Sequence, residues 1–410
     1  MKVVHVSTSD FGGGAAIAAY RLHRALLKEN IDSEMLVKYK YKNENNINLV
    51  SYDNKIKKYL KLIINKIYYK LINFKYNNNK NTIFPRIKYG IDISQNNIVK
   101  NADIIHLHCI VGNYLSLKYL AKLFKDNKKI IWTLHDMWAF TGGCHYSGNC
   151  EKYKVNCGDC PILASGKEND LSRKLFNKKL EIYNTNIEII TCSNWLNECA
   201  QKSTLIKNMN ITVIPNVLDD SIFKSINKDT SRELLNLNKG KKYILFGAIN
   251  STSDHRKGWE YLKKSLIKLN DYYPELKREL KLLVFGASYS EDVKKLPIEV
   301  EFLGQFYDEI ALSLIYNSAD LFVAPSLQDN LPNTVLESLH CGTPVVAFDI
   351  GGMPDMIKHK ENGYLVDYKD INDLAYGIKW TLNNLKNVDI KYDYLKSKNI
   401  IDNILTIYNK

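Results

Sequence analysis

Residues 326–357 read SLQDNLPNTVLESLHCGTPVVAFDIGGMPDMI, and this stretch decides the fold class of the region around it. Two carboxylates, Asp329 and Glu337, flank a loop that leads into a helix predicted to begin near Asn333. The unpaired backbone N–H groups at a helix N-terminus favour a bound phosphate. CGTPVVAF then ends the helix at Gly342 and enters a buried strand. The stretch therefore predicts an α/β unit with an anion site.

Short apolar segments alternate with helical stretches along the rest of the chain, as parallel α/β units require. A chain of 410 residues exceeds one ordinary hydrophobic core, so we expect two domains. The first series of predicted strands comprises residues 3–7, 102–108, 129–135, 187–193 and 211–216. The second series comprises residues 243–248, 280–287, 319–325 and 343–348.

The composition is that of a globular protein with a strongly basic balance. Hydrophobic residues make up 45% of the chain, and the formal net charge is +13. Such a charge predicts an anionic partner, either nucleic acid, an acidic membrane surface or a phosphorylated substrate. The sequence shows no apolar run of the roughly 18 residues that a membrane-spanning helix needs. MKVVHVSTSDFGGG reads as a strand and a glycine loop rather than a signal peptide, so we expect a cytoplasmic protein with reduced cysteines.

A glycine loop at residues 10–16 follows the first predicted strand and precedes a helical run. Gly13 and Gly14 allow the backbone to approach an anion at the helix N-terminus. The loop departs from the dinucleotide pattern G-x-G-x-x-G because Ile17 takes the third glycine position, which disfavours a dinucleotide-dependent oxidoreductase. The alternative is a tight strand-to-helix turn without a ligand.

Cations and histidines follow other predicted strands. In GAINSTSDHRKGWEYL, residues 247–262, Arg256 and Lys257 stand at the start of a helix, where they can neutralise a diphosphate. The alternative for such a pair is ordinary solvation. His135 ends a predicted strand at the edge where open α/β sheets bind ligands. Strand alternation turns His106 and His108 to one face, and a hydrogen-bonded core position is the alternative for any single histidine.

These motifs resemble the donor site of the family-four retaining glycosyltransferases, of the group 1 type. That family carries an E-x7-E motif, a GTPVVA strand and a GG-x-x-E/D-x-I loop, and here the first position of E-x7-E is Asp329. The resemblance implies the GT-B fold, an α/β architecture of two Rossmann-like domains that face each other across a cleft. It implies an acceptor-side domain at 1–218, a nucleotide-sugar-binding domain at 219–388 and a helix at 389–410 that returns to the N-terminal domain.

The same resemblance implies roles for individual residues. Arg256 and Lys257 would stabilise the departing nucleotide diphosphate. Glu337 would bind the ribose hydroxyls, while Asp329 and His135 would lie beside the donor sugar. The remaining residues that it implies around the donor are Gly13, Gly14, Asn330, Leu331, Pro332, Asn333 and Thr334.

The implied reaction is a retaining sugar transfer in bacterial surface polysaccharide synthesis. The donor is a UDP- or GDP-linked sugar, the acceptor is a glycan or lipid-linked glycan, and the family needs no catalytic divalent metal. A nucleotide-sugar epimerase or a glycan phosphorylase on the same architecture is the alternative. A basic nucleic-acid-binding protein would explain the charge but not the carboxylate pair, so we expect no nucleic-acid partner.

A cysteine array occupies the loop TGGCHYSGNCEKYKVNCGDCP. Cys144, Cys150, Cys157 and Cys160 have the spacing C-x5-C-x6-C-x2-C. Four thiolates match a tetrahedral structural zinc site, and the closing C-x2-C is the tight turn that such sites use. Reduced loop cysteines or disulfides are the alternatives.

A lysine-rich segment at residues 54–81 has the periodicity of an amphipathic helix. Seven lysines and no acidic residue lie between positions 55 and 75. This pattern suits an anionic membrane interface and a peripheral position on the inner face of the plasma membrane. A helix packed on its own domain is the alternative. The apolar residues at helical spacing are Ile56, Leu60, Ile63, Ile67, Leu71 and Phe74.

Overall fold

The chain folds as two compact units in the computed structural model. The N-terminal unit contains residues 1–214 together with 404–410, and the C-terminal unit contains residues 215–403. Within the described residues, no helix is both long enough and apolar enough to cross a membrane. The described residues are 1–50, 55–76, 84, 90–126, 128–183, 187–247, 252–287, 289 and 291–410.

A parallel sheet forms the centre of the N-terminal unit. Its strands are β1 (Lys2–Ser9), β2 (Asp32–Tyr39), β3 (Ile47–Leu49), β4 (Ile104–Leu107), β5 (Lys129–Leu134), β6 (Ile187–Thr191) and β7 (Ile211–Val213). Their order across the sheet is β3-β2-β1-β4-β5-β6-β7, and every pair of neighbours is parallel. The central strands β4 and β5 are almost entirely buried, as expected for a sheet covered on both faces.

Three helices of the N-terminal unit, those that follow Asn96, Asp170 and Ser193, begin at residues whose side chains cap the helix. The side chain of Asp170 accepts a hydrogen bond from Arg173 N, and that of Ser193 accepts one from Leu196 N. Such caps satisfy N–H groups that the first helical turn leaves unpaired. The α-helices are α1 (Gly14–Lys28), α2 (Lys55–Lys75), α3 (Asn97–Lys100), α4 (Leu117–Phe124), α5 (Leu171–Ile182) and α6 (Asn194–Gln201).

The C-terminal unit repeats this architecture with a second parallel sheet. Its strands are β8 (Lys242–Gly247), β9 (Leu280–Phe285), β10 (Glu299–Gly304), β11 (Leu321–Ala324), β12 (Val345–Phe348) and β13 (Gly363–Val366). Their order is β10-β9-β8-β11-β12-β13. The helices are α7 (Lys228–Leu234), α8 (Trp259–Tyr272), α9 (Glu309–Ser318), α10 (Asn333–His340), α11 (Ile371–Asn384) and α12 (Ser397–Asn409). Short 3₁₀ turns occupy Trp138–Phe140, Lys152–Lys154, His255–Lys257, Pro274–Arg278, Glu291–Lys295 and Asp393–Leu395.

Helix α12 contributes to both units. Ser397 at its start donates a hydrogen bond to Leu218 O at 2.5 Å, within the C-terminal unit. Its last turns belong to the N-terminal unit, where Tyr408 lies 2.7 Å from His106 Nδ1 and Lys129 Nζ donates to Ile407 O at 2.6 Å. Residues 404–410 therefore complete the core of the N-terminal unit.

Each sheet reverses its strand order at one central point. The reversal falls between β1 and β4 in the N-terminal sheet and between β8 and β11 in the C-terminal sheet. Open parallel sheets bind ligands outside the carboxyl ends of the strands at such points. The predicted α/β class is confirmed, and the two reversals are where functional residues are expected.

Candidate active site

A short 3₁₀ turn that carries Arg256 and Lys257 follows β8 and packs against the loop after β11. Gly258 has φ = 75°, a backbone conformation that favours glycine. A Cβ at this position would lie 1.7 Å from the carbonyl oxygen of Pro325. Only glycine allows this approach, so the 3₁₀ turn His255–Lys257 is pressed onto the segment that carries Asp329.

Asp329 brings the predicted cations together. Its Oδ2 lies 2.6 Å from Lys257 Nζ and 3.2 Å from Arg256 Nη1, and the residue is 6% exposed. Burial raises the pKa of Asp329, but Lys257 and then Arg256 outweigh burial and hold the pKa at about 2. The carboxylate is therefore ionised at neutral pH, and it fixes the two cationic groups at one place.

Arg256 and Lys257 differ in how far their donors are already used. Arg256 Nη1 also donates to Gln328 O at 3.0 Å, and Nη2 donates to Asp254 at 3.1 Å. The guanidinium is thus tied to two segments of its own unit. Lys257 Nζ has three N–H donors, of which Asp329 takes one. Lys257 is the cation better suited to meet an incoming anion.

The segment 330–334 connects Asp329 to helix α10. The backbone N–H of Asn330 donates to Asp329 Oδ1 at 3.1 Å. Asn333 begins the helix, and its Oδ1 accepts a hydrogen bond from Asn216 Nδ2 at 3.0 Å. Four of the predicted donor-binding residues in this segment are buried, namely Asn330, Leu331, Pro332 and Asn333. The fifth, Thr334, is partly exposed.

The carboxylate of Glu337 accepts a hydrogen bond from a buried tyrosine. The residue is 3% exposed, and its Oε2 accepts a hydrogen bond from Tyr316 Oη at 2.9 Å. Tyr316 lies on α9 and is fully buried. This hydrogen bond fixes the orientation of the Glu337 carboxylate.

Gly351 packs against the same loop from the other side. It has φ = 54°, and an added Cβ would lie 1.9 Å from the carbonyl oxygen of Asp329. Gly351 and Gly258 thus both allow backbone to lie directly on the loop after β11. This packing gives the Asp329 loop a rigid support.

The glycine loop of the N-terminal unit leads straight into α1. Gly13 is the extended N-cap residue, and Gly14 begins the helix. A Cβ added at Gly13 would meet no heavy atom within 4 Å. The buried carboxylate of Asp10 accepts hydrogen bonds from the backbone of Tyr41 and Lys42 at 2.8 to 3.1 Å. The loop is therefore anchored at its start and open beside Gly13.

His135 and Asp136 follow β5 at the sheet edge. His135 Nε2 lies 3.2 Å from His108 Nδ1, and Asp136 Oδ2 lies 2.6 Å from His145 Nδ1. Burial raises the pKa of Asp136, but His145 outweighs it and keeps the pKa below its usual value. Burial lowers the pKa of His135 to about 4, so its imidazole is neutral at physiological pH.

The four cysteines of the array line one cavity in the N-terminal unit. Gly142 N donates to Cys157 Sγ at 3.2 Å, and all eight cysteines of the chain are free thiols. Within the described residues, the group of three potential metal ligands with donor atoms within 4.8 Å of one another is His5, His106 and His108, rather than any set of these cysteines. The sulfur atoms are therefore not gathered at zinc-binding distance.

The predicted residues thus fall into two groups. His135, Gly13, Gly14 and the cysteines belong to the N-terminal unit, whereas Arg256, Lys257, Asp329, Glu337 and residues 330–334 belong to the C-terminal unit. The sequence did not reveal Tyr316, Asn216 or His145 as their supports. Of these three supports, only His145 could have been suspected from the sequence, because it lies inside the cysteine array, nine residues after Asp136.

Comparison with known proteins agrees with this arrangement. Two solved structures cover the whole of this chain: sucrose-phosphate synthase from Thermosynechococcus elongatus and HepE from Anabaena in complex with UDP-glucose. The first has a TM-score of 0.64 at 17% identity and is covered to 98%. The second has a TM-score of 0.63 at 16% identity and is covered to 99%. The protein has the fold of GT-B glycosyltransferases, with two parallel-sheet α/β domains, as predicted.

The relatives found by sequence are matched over part of their length. Residues 241–384 match the family model of glycosyl transferases group 1. An uncharacterized glycosyltransferase of Haemophilus influenzae is 32% identical over 136 residues, which are 31% of this chain and 36% of the relative. Protein CapJ of Staphylococcus aureus is 32% identical over 188 residues, 44% of each chain. The matches thus span less than half of these relatives. Within this chain, the similarity to the glycosyl transferases group 1 lies in residues 241–384 of the C-terminal unit.

Proposed function

We propose that this chain is a retaining glycosyltransferase that moves a sugar from a nucleotide-sugar donor to a glycan or lipid-linked glycan. The observation that carries the proposal is the buried Asp329 carboxylate with Lys257 and Arg256 around it, at the reversal point of the C-terminal sheet. HepE, one of the similar structures, binds UDP-glucose, which supports a UDP-sugar donor. A relative from Escherichia coli, the putative colanic acid biosynthesis glycosyl transferase WcaC, supports a role in surface polysaccharide synthesis.

The proposed chemistry rests on stabilising the leaving nucleotide diphosphate. Negative charge develops on the diphosphate as the glycosidic bond breaks, and a cation already in place stabilises that charge without reorganisation. Lys257 supplies this charge through the N–H donors that Asp329 does not use, while Arg256 holds the loop in position. The backbone at Asn330–Thr334 and the start of α10 add further N–H groups for phosphate.

Other residues orient the donor in this proposal. Glu337, held by Tyr316, accepts hydrogen bonds from the ribose hydroxyls. His135 lies by the donor sugar, and Gly13 and Gly14 allow close approach of the diphosphate or the acceptor. Because protein cations and helix N–H groups supply the positive charge, we propose that transfer needs no catalytic divalent metal.

Donor screening tests the proposal. UDP- and GDP-sugars are added to the purified protein in a thermal-shift assay, and a true donor at 100 times its Kd should stabilise the fold by about 2.7 kcal/mol. Transfer to undecaprenyl-linked glycans is then followed by mass spectrometry, and nuclear magnetic resonance of the product reads the anomeric configuration. Retention of the donor's configuration supports the proposal, and inversion contradicts it.

The same assays separate the rival functions. Isomerised nucleotide sugar formed without acceptor would identify an epimerase, and phosphate-dependent cleavage of a glycan would identify a phosphorylase. Salt-dependent binding to DNA or RNA without any affinity for nucleotide sugars would identify a nucleic-acid-binding protein.

We also propose that the cysteine array binds one structural zinc ion, with Cys144, Cys150, Cys157 and Cys160 as ligands. The four thiols share one cavity, and the N–H of Gly142 donates to Cys157 Sγ at 3.2 Å, as amides do around metal thiolates. Burial lowers the pKa of the nearby Lys179 to about 7, and thiolates at Cys144 and Cys157 would raise this pKa and favour the charged ammonium form. Zinc binding must draw the sulfur atoms together, since four ligands at about 2.3 Å surround one ion.

Metal analysis of protein purified without a histidine tag tests this zinc site. One zinc per chain is expected, and Cys157→Ser should lose both the metal and thermal stability because folding and binding are coupled. Cys199→Ser, outside the array, is the matched control and should retain zinc. A folded, metal-free wild type with four titratable thiols in the array would exclude the site.

Helix α2 supports a third proposal, reversible binding to an anionic membrane. Its apolar residues are exposed: Leu60 and Ile67 to 53%, Leu71 to 62% and Phe74 to 94%. The lysine-rich composition of this helix complements anionic headgroups, each lysine contributing on the order of 1 kcal/mol near such a surface. The predicted amphipathic pattern also includes Ile56, Lys57 and Lys58, whose side chains lie outside the described part of the chain. A lipid-linked acceptor would be found at the same surface.

Sedimentation with vesicles of phosphatidylglycerol and phosphatidylcholine tests the membrane proposal. Binding should rise with the anionic fraction, fall with salt and weaken in Lys66→Glu/Lys70→Glu. The matched control is Lys174→Glu/Lys178→Glu, which changes the same charge on exposed positions of α5. Equal binding by both double variants would contradict a specific role for α2.

A further inference from the structure

Three histidines form a hydrogen-bonded row across the N-terminal sheet. His5 lies on β1, His108 follows β4 and His135 follows β5. His5 Nδ1 lies 3.0 Å from His108 Nε2, and His108 Nδ1 lies 3.2 Å from His135 Nε2. The row leads from the fully buried centre of the sheet to the edge where His135 is partly exposed.

Each ring in this row is neutral. Burial lowers the pKa of His5 and His108 well below the ordinary histidine value, and it lowers the pKa of His135 to about 4. A neutral imidazole carries one N–H, and its other nitrogen accepts a hydrogen bond. The two hydrogen bonds of the row must therefore run in the same sense along all three rings.

Cys192 determines which sense the row takes. Its Sγ lies 3.5 Å from Leu134 O and 3.7 Å from His135 Nδ1. Burial raises the pKa of Cys192 to about 12, so the thiol keeps its proton. The nearer partner is the carbonyl oxygen of Leu134, which can only accept, and we assign the S–H to that hydrogen bond. The sulfur is then an acceptor, and His135 must carry its proton on Nδ1.

The remaining protons follow from this assignment. His135 Nε2 accepts from His108 Nδ1–H, and His108 Nε2 accepts from His5 Nδ1–H. The row ends at His5 Nε2, a buried nitrogen without a hydrogen-bond partner in the described structure. In this sense the unpaired atom is a lone pair, and the opposite sense would leave an unpaired buried N–H. Unpaired acceptors are less rare in proteins than unpaired donors.

We propose that His108, with His5 behind it, is a positioning residue that fixes His135 as the neutral Nδ1–H tautomer at the edge of the sheet. The role of His135 beside the donor rests on the proposed function, but the tautomer does not. Because His135 Nε2 is committed to His108, His135 keeps a fixed ring orientation at the edge of the sheet rather than acting as a general base that takes up a proton.

A metal ion at these histidines is the competing interpretation of the same cluster. Donor atoms of His5, His106 and His108 lie within 4.8 Å of one another. However, the two ring nitrogens of His106 already meet Thr133 Oγ1 and Tyr408 Oη, each at 2.7 Å. A metal would displace one of these hydrogen bonds in a fully buried place, so the hydrogen-bonded row is the better account.

Nuclear magnetic resonance of the full-length protein with ¹⁵N-labelled histidine rings tests the proposal. Long-range proton–nitrogen correlations distinguish an Nδ1–H ring from an Nε2–H ring, and His135→Asn assigns the signal of His135. The wild type should show the Nδ1–H pattern at His135. His108→Leu removes the donor, so the His135 Nε2 resonance should move, whereas His108→Asn retains an amide donor near the Nδ1 position and should restore it in part.

Controls keep the outcome decisive. Thr133→Val removes a partner of His106 without touching the row and should leave the His135 signal and transfer unchanged. If His108→Leu fails to fold, His108→Asn and the wild-type tautomer still decide. In a transfer assay, His108→Leu should lower kcat about tenfold, the effect of one lost hydrogen bond, with a smaller change in donor KM.

Several results would overturn the proposal: an Nε2–H tautomer at His135, an unmoved His135 signal in folded His108→Leu, or a stoichiometric metal that persists in Cys157→Ser and is lost in His106→Ala. Absence of donor binding and transfer in the wild type would instead refute the proposed function, and the resonance readout would remain valid.

Discussion

Near the reversal point of the N-terminal sheet, the buried polar groups are neutral imidazoles. Near the reversal point of the C-terminal sheet, the buried polar groups are charged and held in fixed positions. His5, His108 and His135 satisfy one another through hydrogen bonds, with their pKa values lowered by burial. Asp329 instead stays ionised because Lys257 and Arg256 surround it. The same strand arrangement thus stabilises polar groups in two ways, and at the C-terminal reversal point it presents fixed positive charge suited to a diphosphate.

Acid should destabilise the N-terminal unit before the C-terminal unit, and this is the largest effect that we expect. A histidine with a lowered pKa stabilises the fold fully above its unfolded value of 6.5 and loses this contribution as pH falls toward the folded value. The pKa of His23 and that of His135 are about 4, so each should cost about 2 kcal/mol between pH 7 and 5. Hydrogen exchange with peptide resolution should show the N-terminal unit opening first, and simultaneous opening of both units would contradict the comparison.

Lys257→Ala should have the next largest effect, on transfer. Removing a preorganised cation from a developing negative charge typically lowers kcat by about 10² to 10³, or roughly 3 to 4 kcal/mol. The variant should fold normally because Lys257 is only partly buried, and circular dichroism checks this. Lys264→Ala, which changes an exposed lysine of the following helix α8, is the matched control. Wild-type kinetics at limiting and saturating donor would remove Lys257 from the site.

Asp329→Asn should cost less, and its cost should depend on pH. The pKa of Asp329 is lowered to about 2, so its stabilisation is present above pH 4 and disappears as pH falls toward 2. The shift corresponds to about 2 kcal/mol of unfolding free energy at neutral pH. The difference in hydrogen-exchange protection of α8 between wild type and variant should shrink in that acid range. A constant difference would mean that the ion pairs contribute nothing.

Tyr316→Phe should have the smallest effect of the four. It removes one hydrogen bond to the Glu337 carboxylate and leaves the ring packed. The loss should be about 1.5 kcal/mol, which is about tenfold in donor affinity. Titration calorimetry with the nucleotide diphosphate measures it, and Glu337→Ala should mask any effect of the tyrosine change. Additive losses in the double variant would show that the two residues act separately.

Sequence predicted the fold where strands are long, apolar and buried on both faces, such as β1, β5 and β9. It did not single out four strands: β2 and β10, whose charged residues interrupt any continuous apolar run, and the short strands β3 and β13. Three of the four, β3, β10 and β13, form edges of the sheets, where one side lacks a neighbour, whereas β2 lies between β3 and β1. Their assignment depends on the adjacent strand rather than on their own sequence.

The candidate site likewise contains residues that local sequence motifs predict and residues that only the three-dimensional structure identifies. Arg256, Lys257, Asp329 and Glu337 belong to local motifs, so the sequence could nominate them without a structure. Tyr316 and Asn216 support those residues from distant positions in the chain, and His5 is a single histidine in an apolar strand. Such partners become visible only when the sheet register places them together, as with His5 opposite His106.

The N-terminal unit is discontinuous along the chain. Its residues 1–214 and 404–410 are separated by the whole C-terminal unit, and Tyr408 supplies a hydrogen-bond partner for the buried His106. On the ribosome, the first 214 residues emerge well before this partner exists. The N-terminal core can therefore reach its final state only after the second unit has been synthesised, and a nascent chain paused before residue 404 would expose a core without the last turns of α12 to chaperones and proteases.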